Sequence, residues 1–191
     1  NYNVKFYFTR GGYFKKITLT SLRGADEQKL KDGDEIAQVT DGENISELLF
    51  VSDKQRIYRT KASDFDTCKA SALGDYIPAK LGFEKDEKAI AMDVDTKFDS
   101  KHFVIYIFEN GKGVKLPLSL YETKTPRKKL VAAYSAASPI VAAFFVSENE
   151  DIILVSSQNK AIVINTKLIP EKATRTAGGV TLFTLKNDQT I

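Results

Sequence analysis

The sequence predicts an all-β, propeller-like protein built from about four blades of antiparallel strands. Three observations lead there. A hairpin-like motif recurs four times, an apolar anchor follows each copy at a fixed distance, and no segment carries a sustained, capped helical period.

Each copy reads as a short apolar run, a polar turn, and a second apolar or basic run. The copies are Phe6-Tyr7-Phe8 before Thr9-Arg10-Gly11-Gly12; Leu48 to Val51 before Ser52-Asp53-Lys54-Gln55; Val104 to Ile107 before Phe108-Glu109-Asn110-Gly111; and Ile152 to Val155 before Ser156-Ser157-Gln158-Asn159. Counting from Thr9, Ser52, Phe108 and Ser156, the anchor falls 13 residues later each time, at Leu22, Phe65, Tyr121 and Ile169. The starts are 43, 56 and 48 residues apart, the spacing of one propeller blade per repeat.

The last turn position is Gly12, Gln55, Gly111 or Asn159. Glycine and asparagine tolerate the positive φ that tight hairpin turns demand, and Gln55 fits least well. Between the hairpins, Glu35 to Val39, Ala89 to Val94, Ile140 to Val146 and Val180 to Leu185 read as further strands. Lys129 to Ala137, which ends before Pro139, reads as a short helix or an inward-facing strand, and its repeat position favours strand. A lone hairpin cannot bury its apolar face, so the repeats, approximately 1–44, 45–100, 101–150 and 151–191, are expected to form one domain over 1–191.

A composition of 42% hydrophobic and 28% charged residues is that of an ordinary globular chain. With Cys68 as the only cysteine, an internal disulfide is excluded, and the chain suits a reducing cytoplasm with Cys68 as a buried thiol. The longest apolar run, Ile140 to Val146, is far short of the ~20 residues that span a bilayer, so no membrane partner is expected. Opening on Asn1-Tyr2-Asn3 without initiator Met or leader, the sequence reads as a fragment of a longer protein.

A net charge of +3 announces no partner, but its distribution is uneven. The four 14-residue windows starting at Thr9, Ser52, Phe108 and Ser156 hold +8, leaving −5 for the other 135 residues. Lys16, Arg59 and Lys115 share one repeat column, and Arg56, Lys112 and Lys160 share another. Equivalent positions in stacked blades trace an arc, which suits a line of phosphates on bent, double-stranded DNA, read without base contacts. The loops Thr123 to Lys129 and Arg175 to Gly179 extend the arc. The competing account is that basic residues simply dot solvent-facing and edge strands.

Several segments resemble the C-terminal domains of the A subunits of bacterial DNA gyrase and topoisomerase IV, the type IIA topoisomerases. The family repeats an apolar run, Thr, two variable residues, Gly, apolar residues and Lys-Arg. Phe6 to Leu19 is a close match, Leu48 to Arg59 a second, and the third and fourth copies are degenerate. Leu73-Gly74-Asp75-Tyr76-Ile77-Pro78 with Leu81-Gly82-Phe83 and Glu87-Lys88, and Arg175-Thr176-Ala177-Gly178-Gly179-Val180, are similar to the segments between motifs.

The resemblance implies a β-pinwheel, a propeller-like disc with hairpins exchanged between blades, whose basic rim binds and bends DNA. The motif basics that carry over are Lys15 and Lys16, Arg56 and Arg59, and Lys112 and Lys115; at Val163 the carry-over fails. Together with Arg10, Arg23, Lys54 and Lys61, and with Lys124, Arg127, Lys128, Lys160 and Arg175, these form the expected DNA-binding set. A Gln-Arg-Arg-Gly-Gly-Lys-Gly gyrase box is absent, which favours guiding or bending over full wrapping. Four repeats against the family's common five or six imply an open, smaller or truncated ring.

The resemblance further implies an accessory part of an ATP-dependent isomerase in the bacterial cytoplasm. Its partners would be double-stranded DNA, the ATPase B subunit, and the catalytic domains of the same polypeptide. The catalytic tyrosine, ATP and Mg would belong outside this fragment, which itself takes no cofactor. The residues agree: Tyr134 lacks a preceding Arg and reads as a core aromatic, His102 is the only histidine, and no phosphate-cradling Gly-Lys loop occurs. Asp93 and Asp95 read as a solvated strand face rather than a cation site. A propeller working through an apolar protein-recognition face is the alternative.

Overall fold

In the computed structural model, which describes residues 1–24, 27–186 and 189–191, the chain divides into two compact units, Asn1–Thr96 and Lys97–Ile191. Each contains two of the four repeats. In the first unit the strands are β1 (Asn3–Thr9), β2 (Tyr13–Thr18), β3 (Ile36–Glu43), β4 (Glu47–Ser52), β5 (Ile57–Lys61), β6 (Asp75–Tyr76) and β7 (Ala89–Val94). In the second they are β8 (Phe103–Phe108), β9 (Lys112–Pro117), β10 (Lys129–Leu130), β11 (Ile140–Val146), β12 (Asp151–Val155), β13 (Ala161–Asn165) and β14 (Val180–Thr181). The hairpins are β1-β2, β4-β5, β8-β9 and β12-β13, all antiparallel, so the four predicted hairpins are present.

Turn chemistry explains their shared register. Gly12, Gln55, Gly111 and Asn159 sit at φ of 89°, 57°, 82° and 57°. Gln55 therefore adopts the left-handed conformation despite its side chain, because the strands on either side fix the turn. At the first turn position the hydroxyls of Thr9, Ser52 and Ser156 accept from Tyr13, Lys54 and Lys160 N–H at 3.0, 3.2 and 3.3 Å. Each hairpin is followed by one helical turn: α1 (Leu19–Leu22), or a 3-10 turn at Ala62–Asp64, Leu118–Tyr121 and Thr166–Leu168. These deliver the anchors inward: Phe65, Tyr121 and Ile169 are buried, and Leu22 packs half-buried against Tyr7, Ile17 and Ala70.

One contact common to all four repeats is invisible in the sequence. The second turn residue donates its N–H to a distant carbonyl: Arg10 to Glu35, Asp53 to Lys88, Glu109 to Pro139 and Ser157 to Thr190, at 2.7–3.0 Å. In the first three repeats this latch ties the turn to the strand that pairs with the hairpin's first strand, β3, β7 or β11. A register shift interrupts each of those pairings near the turn, between Phe8 and Thr9, Val51 and Ser52, and Ile140 and Ala142, where a bulge turns the strand away.

The fourth strand comes from the next repeat. β6 pairs with β2, and β14 pairs with β9, giving the orders β3-β1-β2-β6 and β11-β8-β9-β14. Ile77 and Leu182, which follow these short strands, donate to the Gly12 and Gly111 carbonyls at 2.9 Å. Gly74 and Gly179 lead into them at φ of 87° and 78°, and a Cβ on either would strike hairpin backbone, the carbonyls of Phe14 and Gly113. We expect Gly179→Ala to cost about 1–3 kcal/mol in thermal unfolding through strain and lost pairing. Gly178→Ala, with nothing near its would-be Cβ, is the neutral control.

Core composition differs between the units. In the first, Phe6, Phe8, Phe14, Phe50 and Phe65 interlock with ring centroids 4.6–5.8 Å apart, joining both repeats. In the second, Ile105, Ile107, Ile152, Leu154, Ile164 and Ile169 form an aliphatic core beside a buried tyrosine group. There Tyr106 Oη lies 2.8 Å from Tyr121 Oη, which donates to the Ala133 carbonyl at 2.6 Å, and Tyr134 packs on Tyr106.

Three strand expectations need correction. Lys129 to Ala137 is strand only at Lys129–Leu130, because Ala132 takes φ of 49° and breaks the run. Val180 to Leu185 is strand only at Val180–Thr181, since Leu182 and Phe183 turn to the Gly111 carbonyl. The stretch expected at Glu35 to Val39 runs from Ile36 to Glu43.

Candidate nucleic-acid interface

Burial and ion pairing sort the expected basic residues more sharply than their sequence columns do. Lys15 and Lys16 are adjacent on β2, so they point to opposite faces, and both are buried, at 1% and 2% exposure. Lys15 Nζ donates to Gln28 Oε1 and to the Lys29 and Ala70 carbonyls at 2.7–3.1 Å. Lys16 Nζ donates to Asn44 Oδ1 at 2.6 Å and the Ala62 carbonyl at 2.9 Å. Burial pushes both ammonium groups below their ordinary range, with Cys68 opposing this at Lys15, and Asp66 and Asp64 at Lys16. These two lysines are internal struts, which corrects their expected place on a rim: a long apolar stem lets each head reach inward to carbonyls.

Three of the four arginines of the first unit face acids. Arg56 donates to Glu87 at 3.0 Å and Glu84 at 2.9 Å, Arg59 to Glu47 at 3.1 Å, and Arg10 pairs with Glu35. The Arg56 pair is the most built. The Glu87 carboxylate also accepts from Tyr58 Oη at 3.0 Å and from the Glu84 N–H at 2.9 Å, while Tyr58 stacks on Phe83 with centroids 4.1 Å apart. Burial alone would raise the Glu87 carboxyl, but hydrogen bonds from Ser52, Glu84 and Tyr58, with the Arg56 charge, hold it below its ordinary value. Burial, then Glu87, pushes the Tyr58 hydroxyl up to about 12.

The remaining expected residues stay available. Arg23, Lys54 and Lys61 in the first unit, and Lys112, Lys124, Arg127, Lys128 and Lys160 in the second, are exposed and form no ion pair among the described residues. Lys115 is half-buried, its Nζ 4.8 Å from the Phe103 ring centroid, and Arg175 is half-buried, 5.8 Å from the Tyr121 centroid. Both are cations held over aromatic faces rather than against carboxylates.

The units also differ in charge. Asn1–Thr96 holds 15 basic and 17 acidic residues, net −2, whereas Lys97–Ile191 holds 13 and 8, net +5. The excess positive charge therefore lies in the second unit, much of it in the loop from Tyr121 to Leu130, whose ends are pinned by those two buried side chains. Thr123 Oγ1 closes the loop on the Thr125 carbonyl at 2.7 Å. With the segment around Arg175 it lines a concave cavity of about 590 Å³ that includes Lys124, Arg127 and Arg175. Alignment by repeat column places these residues behind the hairpins; four bases in the six residues Lys124 to Lys129, with no acid, are the sequence signal that marks them.

Other candidate chemistry resolves into structure. Tyr134 is buried, as expected of a core aromatic. His102 is half-exposed, with Nδ1 2.8 Å from Asp99 Oδ1. Asp93 accepts from Thr96, and Asp95, exposed just past the end of β7, accepts from Ser46 Oγ and the Glu47 N–H. Cys68 is half-buried, and burial pushes its thiol up. Among the described residues no three His, Cys, Asp or Glu side chains are grouped to hold a metal, and no helix is long and apolar enough to cross a membrane.

Comparison with known proteins agrees with the motif resemblance. The family described as the DNA gyrase C-terminal domain, beta-propeller, matches residues 46–74 and 150–191. The A subunit of DNA gyrase from Streptomyces coelicolor is 26% identical over 168 residues, which cover 81% of this chain and 19% of that protein. The A subunit of DNA topoisomerase 4 from Staphylococcus aureus is 21% identical over 173 residues, covering 89% and 22%. The chain thus spans about a fifth of the length of these relatives. Among solved structures, the C-terminal domain of DNA topoisomerase IV superposes with a TM-score of 0.79 at 20% identity, covering 98% of this chain and 59% of that one. The E. coli ParC C-terminal domain gives 0.66 at 12% identity, covering 100% and 77%. The fold is the propeller-like all-β fold of those domains, and the similar proteins are bacterial gyrase and topoisomerase IV A subunits.

Proposed function

We propose that this chain is a DNA-binding accessory domain of a type IIA topoisomerase A subunit, gripping duplex phosphates without performing chemistry itself. The observation that carries this reading is the concentration of unneutralised cations in the second unit: Lys112 and Lys160 just after hairpin turns, and Lys124, Arg127, Lys128 and Arg175 in the loops. Exposed lysines and arginines without acidic partners gain affinity by releasing counterions from the phosphate backbone, a term indifferent to base sequence. Any preference would come from the ease of bending the duplex. Cleavage, ATP hydrolysis with its Mg, and contacts with the catalytic domains and B subunit would fall to the longer cytoplasmic protein.

The test is fluorescence anisotropy of a labelled duplex against the chain across salt concentrations. The expected result is a logarithm of affinity that falls linearly with the logarithm of salt, by about 0.9 per phosphate engaged. Salt-independent affinity, or none at low salt, overturns the reading.

A protein-recognition surface is the second reading, favoured by one observation. The outward face of β12 and β13 exposes Ile153 and Val163 at 66% and 61%, although Phe6, Leu49 and Ile105, at Ile153's repeat position, are buried. Under that reading, duplex retention is unchanged by charge reversal at Lys124 and Arg127.

A further inference from the structure

The cavity of the second unit has features that a duplex-tracking surface does not need. Its volume of about 590 Å³ lies within the range of small-molecule sites. Lys124, Arg127 and Arg175 contribute three cations to its lining against the single carboxylate of Glu122. Arg175 is held over the Tyr121 ring, and Tyr121 is itself fixed by hydrogen bonds to Tyr106 and the Ala133 carbonyl, so this guanidinium is partly ordered before any ligand arrives. Thr125 and Thr174 add hydroxyl donors, and Leu120 and Leu130 add an apolar wall.

We infer that this cavity also binds a compact polyphosphate anion, of the pyrophosphate or nucleoside-diphosphate class, on Lys124, Arg127 and Arg175, cations it shares with the proposed duplex surface. Guanidinium and ammonium donors that line one cavity from two loops suit an anion with several phosphate oxygens. The excess of positive over negative lining side chains excludes a cationic ligand. The apolar wall has room for a ribose or base without requiring one.

The test is calorimetric titration of sodium pyrophosphate into the whole chain at constant ionic strength. A saturable single-site isotherm is expected, weakened about tenfold by Lys124→Gln and by Arg175→Gln and unchanged by Lys160→Gln, which lies outside the cavity. If Arg175→Gln disturbs Tyr121, visible as a lowered thermal midpoint, Lys124→Gln alone decides. Absence of saturable binding, or equal weakening by Lys160→Gln as expected of diffuse charge, overturns the inference. Duplex anisotropy on the same samples keeps the readings apart: duplex binding without a pyrophosphate site overturns this inference and leaves the accessory DNA role standing.

Discussion

Joint charge reversal at Lys124, Arg127 and Lys128 is expected to lower duplex affinity by about 10²- to 10³-fold at 0.1 M salt and to flatten the salt dependence by about three units. Each phosphate contact contributes close to 0.9 to the slope, so losing three removes an affinity factor of that order at this salt. All three side chains are exposed and free of acidic partners among the described residues, so replacing them leaves no buried partner unsatisfied and the fold should hold. The matching control is Lys16→Met. That lysine is buried against Asn44 and the Ala62 carbonyl, so its loss should destabilise by about 1–3 kcal/mol while leaving the salt slope intact. An unchanged slope in the triple variant, or a changed one in Lys16→Met, would return the binding surface to the hairpin columns.

Glu87→Gln is expected to destabilise the first unit by about 3 kcal/mol in urea unfolding followed by circular dichroism. Donors from Arg56, Tyr58 and the Glu84 N–H converge on a side chain with no exposed surface. An amide replaces one acceptor oxygen with a donor nitrogen, so at least one converging donor loses its partner in a buried setting. The wild type should also show a pH signature. Its folded carboxyl titrates below the ordinary value, so the unfolded chain takes up the proton first. The stabilisation is therefore complete above the ordinary glutamate range and lost as pH falls through the depressed folded value. The gap between wild type and Glu87→Gln should close on acidification through that window, and parallel stability curves would refute the account.

The hairpins are legible in the sequence because turn geometry is local. Gly12, Gly111 and Asn159 declare a left-handed turn position by residue type, and even Gln55 is marked by register alone. The donated strands β6 and β14 are harder, being two residues long and made by partners far along the chain; the glycines before them, Gly74 and Gly179, mark them only through resemblance. The turn-to-carbonyl latches leave no trace, since a backbone N–H and C=O can be supplied by any residue, as Glu35, Lys88, Pro139 and Thr190 demonstrate.

Charge counted along the chain marks the hairpins as basic yet misjudges which cations are free. Lys15, Arg56 and Lys112 look alike in a motif, but one is tied to backbone carbonyls, one is neutralised by Glu87 and Glu84, and one is exposed. By itself the sequence determined the all-β repeat, the turn positions, the four anchor positions and the family likeness, because strand alternation and turn sterics act over a few residues. Only the tertiary structure decided which basic side chains are buried, which are paired with acids and which stand exposed. Burial and acidic partners arrive from segments such as Glu84 to Glu87 and Ala62 to Ala70, tens of residues away, and desolvation and Coulomb attraction depend on distance in space rather than along the chain.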